Sequence, residues 1–171
     1  LEKQPLSGPD GAKRTVPLYL PPEPQAVREA LCKGALFQPL TLEAGAPFAV
    51  GSLSITPFST VHPVPAFGFR IRDGAGRTLC FTGDTGLYDG LAQDVRGADA
   101  LLADVCFVGD DPPSPAPHLS ARQAGRLAKE AGAGALYCTH LSGAFDTEAL
   151  IKKEVDFAST FVVQEHGQYR I

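Results

Sequence analysis

Five residues of this sequence have side chains suited to metal or acid–base chemistry at widely spaced positions: His62, His118 and His140, with the carboxylates Asp84 and Asp104. Neutral imidazole and carboxylate are the usual mixed ligands for zinc and related ions, and the same groups serve as general acids and bases. No two histidines stand closer than 22 residues apart, so any site they share must be assembled by the fold. Asp104 interrupts an otherwise apolar run from Ala100 to Phe107. A buried strand holds a carboxylate only with a donor or a cation beside it, so a bond to backbone, a bond to a histidine and a metal all stay open for it. His166, in Glu165-His166-Gly167-Gln168, reads as an exposed hairpin tip.

The elements that must position these side chains follow from periodicity and punctuation. Strands are expected at 15–20, 47–56, 59–61, 66–72 and 78–82, with a turn at Asp73-Gly74-Ala75-Gly76 making a hairpin of the 66–72 and 78–82 segments. Further strands are predicted at 100–107 and 135–138, and Phe161-Val162-Val163 is expected to pair with residues 168–171 through His166-Gly167. Helices are expected over about 24–34, from Ser120 to Gly132 and from an Asp146 cap to about Phe157. The Ser120 helix opens on a capping box with Gln123. Residues 109–117 hold four prolines and must form an irregular loop. In this layout His62, Asp84, His118 and His140 each follow or precede an element end, where open α/β sheets build their sites. The pattern predicts one α/β unit over residues 1–171, β-rich in its first half, without internal repeats.

Composition narrows the function classes. The chain has 171 residues, 44% hydrophobic and 20% charged, which suits a folded globular domain. With Gly 18 and Pro 15, structured loops should be long. The net charge of −4 and the absence of a basic run argue against a dedicated nucleic-acid grip. No apolar run approaches the roughly 18 residues of a membrane helix. The cysteines Cys32, Cys80, Cys106 and Cys138 lie 48, 26 and 32 residues apart, with no Cys-x-x-Cys pair. Free thiols are expected, with Cys80, Cys106 and Cys138 packed in apolar segments, and a reducing cytoplasm fits them. Asp84-Thr85-Gly86 matches the aspartic-protease triplet, but one copy in a chain that alternates strands with helices does not make that two-carboxylate enzyme. A Gly-x-Ser-x-Gly elbow, a P-loop and a dinucleotide fingerprint are absent.

The order of the motifs is more specific than any one of them. His62 before Ala66-Phe67-Gly68-Phe69, then Phe81-Thr82-Gly83-Asp84-Thr85-Gly86, His118-Leu119-Ser120-Ala121 and Thr139-His140-Leu141-Ser142 together resemble the metallo-β-lactamase superfamily. The resemblance is strongest to its ribonuclease Z and phosphodiesterase-like branch and runs from about Val16 to the end. It implies an αββα sandwich and hydrolysis, of a small or cyclic phosphodiester or at an RNA 3′ end, by a hydroxide held between two divalent ions, zinc or alternatively manganese. It further implies His62 as a ligand of one ion, Asp84 as the bridging carboxylate and His140 as a ligand of the other. His118 would position the phosphate or protonate the leaving oxygen, with Asp104 orienting it. The family's His-x-His-x-Asp-His does not occur in the sequence, so the ligand set is incomplete. The chain is therefore expected to be the C-terminal two-thirds of such a domain, and the alternative is a non-catalytic scaffold that has lost the motif. A homodimer is compatible with either.

Overall fold

The structure is a computed structural model that describes residues 6–8, 11, 13–141 and 147–171. Two compact units divide the chain, Leu1–Glu43 and Ala44–Ile171. In the first, β1 (Leu6–Ser7) pairs antiparallel with β2 (Lys13–Arg14), and β3 (Val16–Leu20) pairs parallel with β4 (Phe37–Thr41) across α1 (Gln25–Leu31). The Arg28 guanidinium fastens this crossover: Nη1 donates to the carbonyls of Leu20 (3.1 Å) and Pro21 (2.6 Å), and Nη2 to Thr41 Oγ1 (3.2 Å). The helix is shorter than the expected 24–34 because the chain already turns at Cys32.

The second unit is built on a seven-stranded mixed sheet. Its strands are β5 (Phe48–Val50), β6 (Leu53–Ser59), β7 (Phe67–Arg72), β8 (Thr78–Phe81), β9 (Ala100–Asp104), β10 (Ala135–Thr139) and β11 (Thr160–Val162), in the spatial order β11-β10-β9-β8-β7-β6-β5. β5 to β8 form an antiparallel meander, and β8 to β11 run parallel. Parallel strands need crossovers, supplied here by α2 (Leu91–Asp94), α3 (Ala121–Ala131) and α4 (Thr147–Glu154). Successive strand residues face opposite sides: Leu101, Ala103, Leu136 and Cys138 join one buried cluster with Leu91, Leu127 and Ile151 of the helices, whereas Tyr137 stacks on Phe161 with ring centroids 5.0 Å apart. The α/β expectation holds.

Four local expectations need correction. The strand expected at 100–107 ends at Asp104, beyond which Cys106 N and Phe107 N turn to Leu119 O. The 47–56 segment is not one strand: it folds back at Gly51, whose φ of 58° a glycine adopts freely, so β5 and β6 form a hairpin. Residues 60 and 61 lie past the end of β6, because their polar groups are taken by the loop after β8. The C-terminal hairpin does not form. β11 finds its partner in β10 instead, and residues 168–171 lie outside any strand, with Tyr169 closing edge-on over Tyr137 at 5.4 Å. The capping box of α3 is present as expected, Ser120 Oγ accepting from Gln123 N at 3.0 Å, and Gly132 ends the helix in the left-handed conformation. Asp146 and Ser142 lie outside the described residues.

Candidate metal centre

β6, β8, β9 and β10 all point the same way, so their carboxyl ends share one edge of the sheet. That edge collects the residues that the sequence scatters. His62 comes from the segment after β6, Asp84 from the turn after β8, Asp104 from the last position of β9, and His140 from the residue after β10. His118 arrives from the proline-rich loop just before α3.

Backbone bonds beyond the strand ends fix this convergence. Thr82 N donates to Leu102 O at 3.0 Å, and Thr82 Oγ1 accepts from Asp104 N at 2.9 Å. Val105 N donates to Thr139 O at 2.9 Å, which sets His140 beside Asp104. Cys106 N and Phe107 N both donate to Leu119 O, tying the chain after β9 to the His118 segment. Thr60 Oγ1 donates to Asp84 O at 3.0 Å, and Gly86 N donates to Val61 O at 2.9 Å. Gly86 also lets the proline-rich loop approach, since a Cβ there would stand 1.7 Å from Ala116 O.

Asp104 is the hub. It is 1% exposed, and its two oxygens receive three N–H groups: Thr85 N (3.0 Å) and His118 Nδ1 (2.8 Å) at Oδ2, and His140 Nδ1 (3.0 Å) at Oδ1. With Asp104 as the acceptor in each bond, both rings carry their proton on Nδ1 and keep Nε2 for another partner. This is the carboxylate–histidine arrangement that orients metal-bound or catalytic imidazoles. Of the readings left open for Asp104, the bond to histidine and the bond to backbone are both realised.

Asp84 and His140 are about half exposed, at 46% and 44% of their side chains, with Asp84 Oδ1 3.8 Å from His140 Nδ1. His62 and His118 stand edge to face at 5.5 Å, and His118 and His140 at 4.8 Å. Donor atoms of His62, Asp84 and His118 lie within 4.8 Å of one another, as do those of Asp84, Asp104 and His140. Asp84 is thus the member common to two neighbouring groups. His62 Nδ1 is buried without a hydrogen-bond partner, an arrangement that costs free energy unless something outside the described protein atoms satisfies it. Imidazole nitrogens, a shared carboxylate and one orphaned nitrogen are a donor set that fits divalent cations.

All five expected residues therefore meet at one place. Cys106 meets them too, with its sulfur within 4.8 Å of donor atoms of His118 and His140. It is partly exposed rather than packed away, unlike the fully buried Cys80 and Cys138. Burial, with the nearby Asp104 and Asp84 carboxylates, pushes its thiol above the ordinary range, and burial alone drives Cys138 to about 12. The sequence offers one hint for Cys106, its position two residues past Asp104, where the strand gives way to the site. His166 turns at φ 60° near the C-terminus and is exposed. Among the described residues no helix is long and apolar enough to cross a membrane.

Comparison with known proteins finds likenesses of sequence and of fold. The family model described as "Beta-lactamase superfamily domain" matches residues 6–141. A protein of Bacillus subtilis (strain 168), "Probable metallo-hydrolase YhfI", is 38% identical over 109 residues, covering 64% of this chain and 42% of its own length. "Ribonuclease Z" of Bradyrhizobium sp. (strain ORS 278) is 33% identical over 101 residues, 57% of this chain and 34% of that protein. The crystal structure of the metallo-β-lactamase fold protein YhfI superposes with a TM-score of 0.80 at 29% identity, covering 90% of this chain and 64% of that one. The chain spans less than half the length of these two curated relatives.

Proposed function

The chain belongs to the metallo-β-lactamase superfamily, and from that premise we propose that it carries the proton-donating half of a metal-dependent phosphodiesterase site. One observation carries the reading: a single buried carboxylate, Asp104, holds both His118 and His140 by Nδ1 beside Asp84. His62, Asp84 and His140 would hold the ions, Asp84 between the two groups. Divalent ions bound there would supply Lewis acidity and make a water acidic enough to attack at neutral pH.

The chain's own residues account for the departing side of the reaction. Protonated His118 donates from Nε2 to the leaving oxygen, while Asp104 Oδ2, 2.8 Å from Nδ1, fixes the ring and stabilises its imidazolium form. The edge-on contact of His62 and the tilted ring of Phe107, with centroids 5.5 and 6.4 Å away, help to hold His118 in that pose. His140 keeps Nε2 free as a ligand because its Nδ1 proton is committed to Asp104. The phosphodiester class is supported by the motif order and by the ribonuclease Z relative. A small or cyclic phosphodiester is favoured over RNA by the net charge of −4 and the lack of a basic run.

The test is hydrolysis of bis-p-nitrophenyl phosphate and of cyclic nucleotides by the protein expressed from its whole reading frame, with zinc or manganese. His118→Ala should lower kcat on the cyclic nucleotide by about 100-fold or more, the usual contribution of a general acid. It should change kcat on the p-nitrophenyl ester little, because that leaving group departs without a proton. Equal losses on both substrates, or no hydrolysis of either, would sink the proposal.

A further inference from the structure

The proposed chemistry leaves Cys106 without a task, although the fold places it against both oriented histidines. Its sulfur and donor atoms of His118 and His140 lie within 4.8 Å of one another. Paired backbone bonds, Cys106 N and Phe107 N to Leu119 O and Val105 N to Thr139 O, hold all three segments together, so the proximity is not an accident of one side-chain rotamer. Cys80 and Cys138, by contrast, are fully buried in the cluster beneath the helices.

We propose that Cys106, His118 and His140 form a cation site of their own, selective for soft or borderline divalent ions of the zinc and cadmium type. Thiolate with two imidazoles is a donor set that prefers such ions over magnesium, calcium or manganese. A tetrahedral zinc with Zn–N of about 2.0–2.1 Å and Zn–S of about 2.3 Å needs its ligand atoms roughly 3.4–3.6 Å apart. Donor atoms 4.8 Å or less apart must close further, by side-chain rotations that for His140, 44% exposed, turn the ring about its Nδ1 bond to Asp104. Asp104 already holds each ring by Nδ1 and leaves Nε2 as the lone pair it can offer. On binding, the S–H bond of Cys106 breaks, its proton leaves to solvent and an S–metal bond forms, with no change of oxidation state. The fourth position stays open to water.

The site shares His140 with the family-type metal pair and His118 with the proton-donating role. Its occupancy therefore takes both from the reaction, a consequence that rests on the function proposed above. The binding itself does not rest on that reading, and it can be tested without any substrate. Cobalt(II) is the probe: titration into the protein should raise a thiolate-to-cobalt charge-transfer band in the near ultraviolet. Cys106→Ser should abolish the band while Cys32→Ser leaves it intact. X-ray absorption of the zinc-loaded wild type should show one sulfur at about 2.3 Å, which keeps the test open should the variant fail to fold. No band at saturating cobalt, a band that survives Cys106→Ser, or a zinc shell without sulfur would each overturn the site. A sulfur-ligated metal in a protein that hydrolyses no phosphodiester would uphold the site and reject the proposed function.

Discussion

Replacing Asp104 by asparagine isolates what the hub carboxylate does while keeping its size. Its two oxygens accept three N–H groups, from Thr85 at 3.0 Å, His118 at 2.8 Å and His140 at 3.0 Å, in a place with 1% exposure. A carboxamide has one oxygen and one NH₂. If its nitrogen stood at the Oδ2 position it would face the Thr85 N–H, two donors in a dry pocket, which costs about 1–3 kcal/mol. The other orientation wins. The amide oxygen then accepts from Thr85 and His118, and the NH₂ faces His140 Nδ1, which must become an acceptor with its proton moved to Nε2. The bonds to Thr85 and His118 each weaken by about 1 kcal/mol on losing their charged partner. Removal of a buried charge offsets part of this, so the metal-free chain should lose no more than about 2 kcal/mol, or about 4–8 °C in Tm. The larger effect falls on His140, whose Nε2 no longer has a lone pair to give. Zinc affinity should drop by about 10–100-fold, which is about 1.4–2.8 kcal/mol. Competition against a chromophoric chelator reads the affinity, and two-dimensional NMR of the ring nitrogens reads the tautomer. Unchanged zinc affinity with His140 still protonated at Nδ1 would show that Asp104 does not set that ring's tautomer.

Two further outcomes follow from the frame around the site. Gly86→Ala places a Cβ 1.7 Å from the Ala116 carbonyl oxygen, a backbone atom that cannot yield without moving the proline-rich loop that carries His118. A loss of about 1–3 kcal/mol is expected, read as a Tm lowered by roughly 2–12 °C, with kcat on a cyclic nucleotide falling alongside; a Tm within 1 °C of wild type would contradict it. Asp111 is the clamp of the same loop: Oδ1 accepts from Ser120 Oγ and Oδ2 from Arg126 Nη2, both at 2.5 Å, and the Ser120 and Arg126 bonds, in that order, hold its carboxyl below the ordinary range. A depressed folded pKa stabilises above the unfolded value and stops stabilising as pH falls through the folded one. The stability gap between wild type and Asp111→Asn should therefore be full at neutral pH and begin to narrow below about pH 4. Urea denaturation at pH 7 and pH 3 reads it, and a gap as wide at pH 3 as at pH 7 would count against the clamp.

Much of the frame is legible in the residues because its signals are local. The capping box at Ser120 and Gln123, the turn at 73–76 and the apolar run of β9 depend on near neighbours, and the structure has all three. The expected C-terminal hairpin is absent for the converse reason: Phe161-Val162-Val163 has a β pattern whatever its partner, and the free edge of β10, which captures β11 in parallel, is not a property of that segment. The split of 47–56 at Gly51 rests on one glycine, which does not by itself say that the chain reverses there.

Residue types and spacing mark which side chains could act and set His62, Asp84 and His140 at element ends, in an order that identifies the superfamily. Their meeting depends on tertiary structure. Asp104 serves two histidines at once, 14 and 36 residues away in the chain, because β9 lies between β8 and β10 with Asp104 in register with Thr139. The same register brings Cys106 from an apolar run into the site. Spacing along a chain fixes the face of a strand, whereas distances between strand ends are set by the pairing of the whole sheet, and a site built from four strand ends exists only once that pairing is complete.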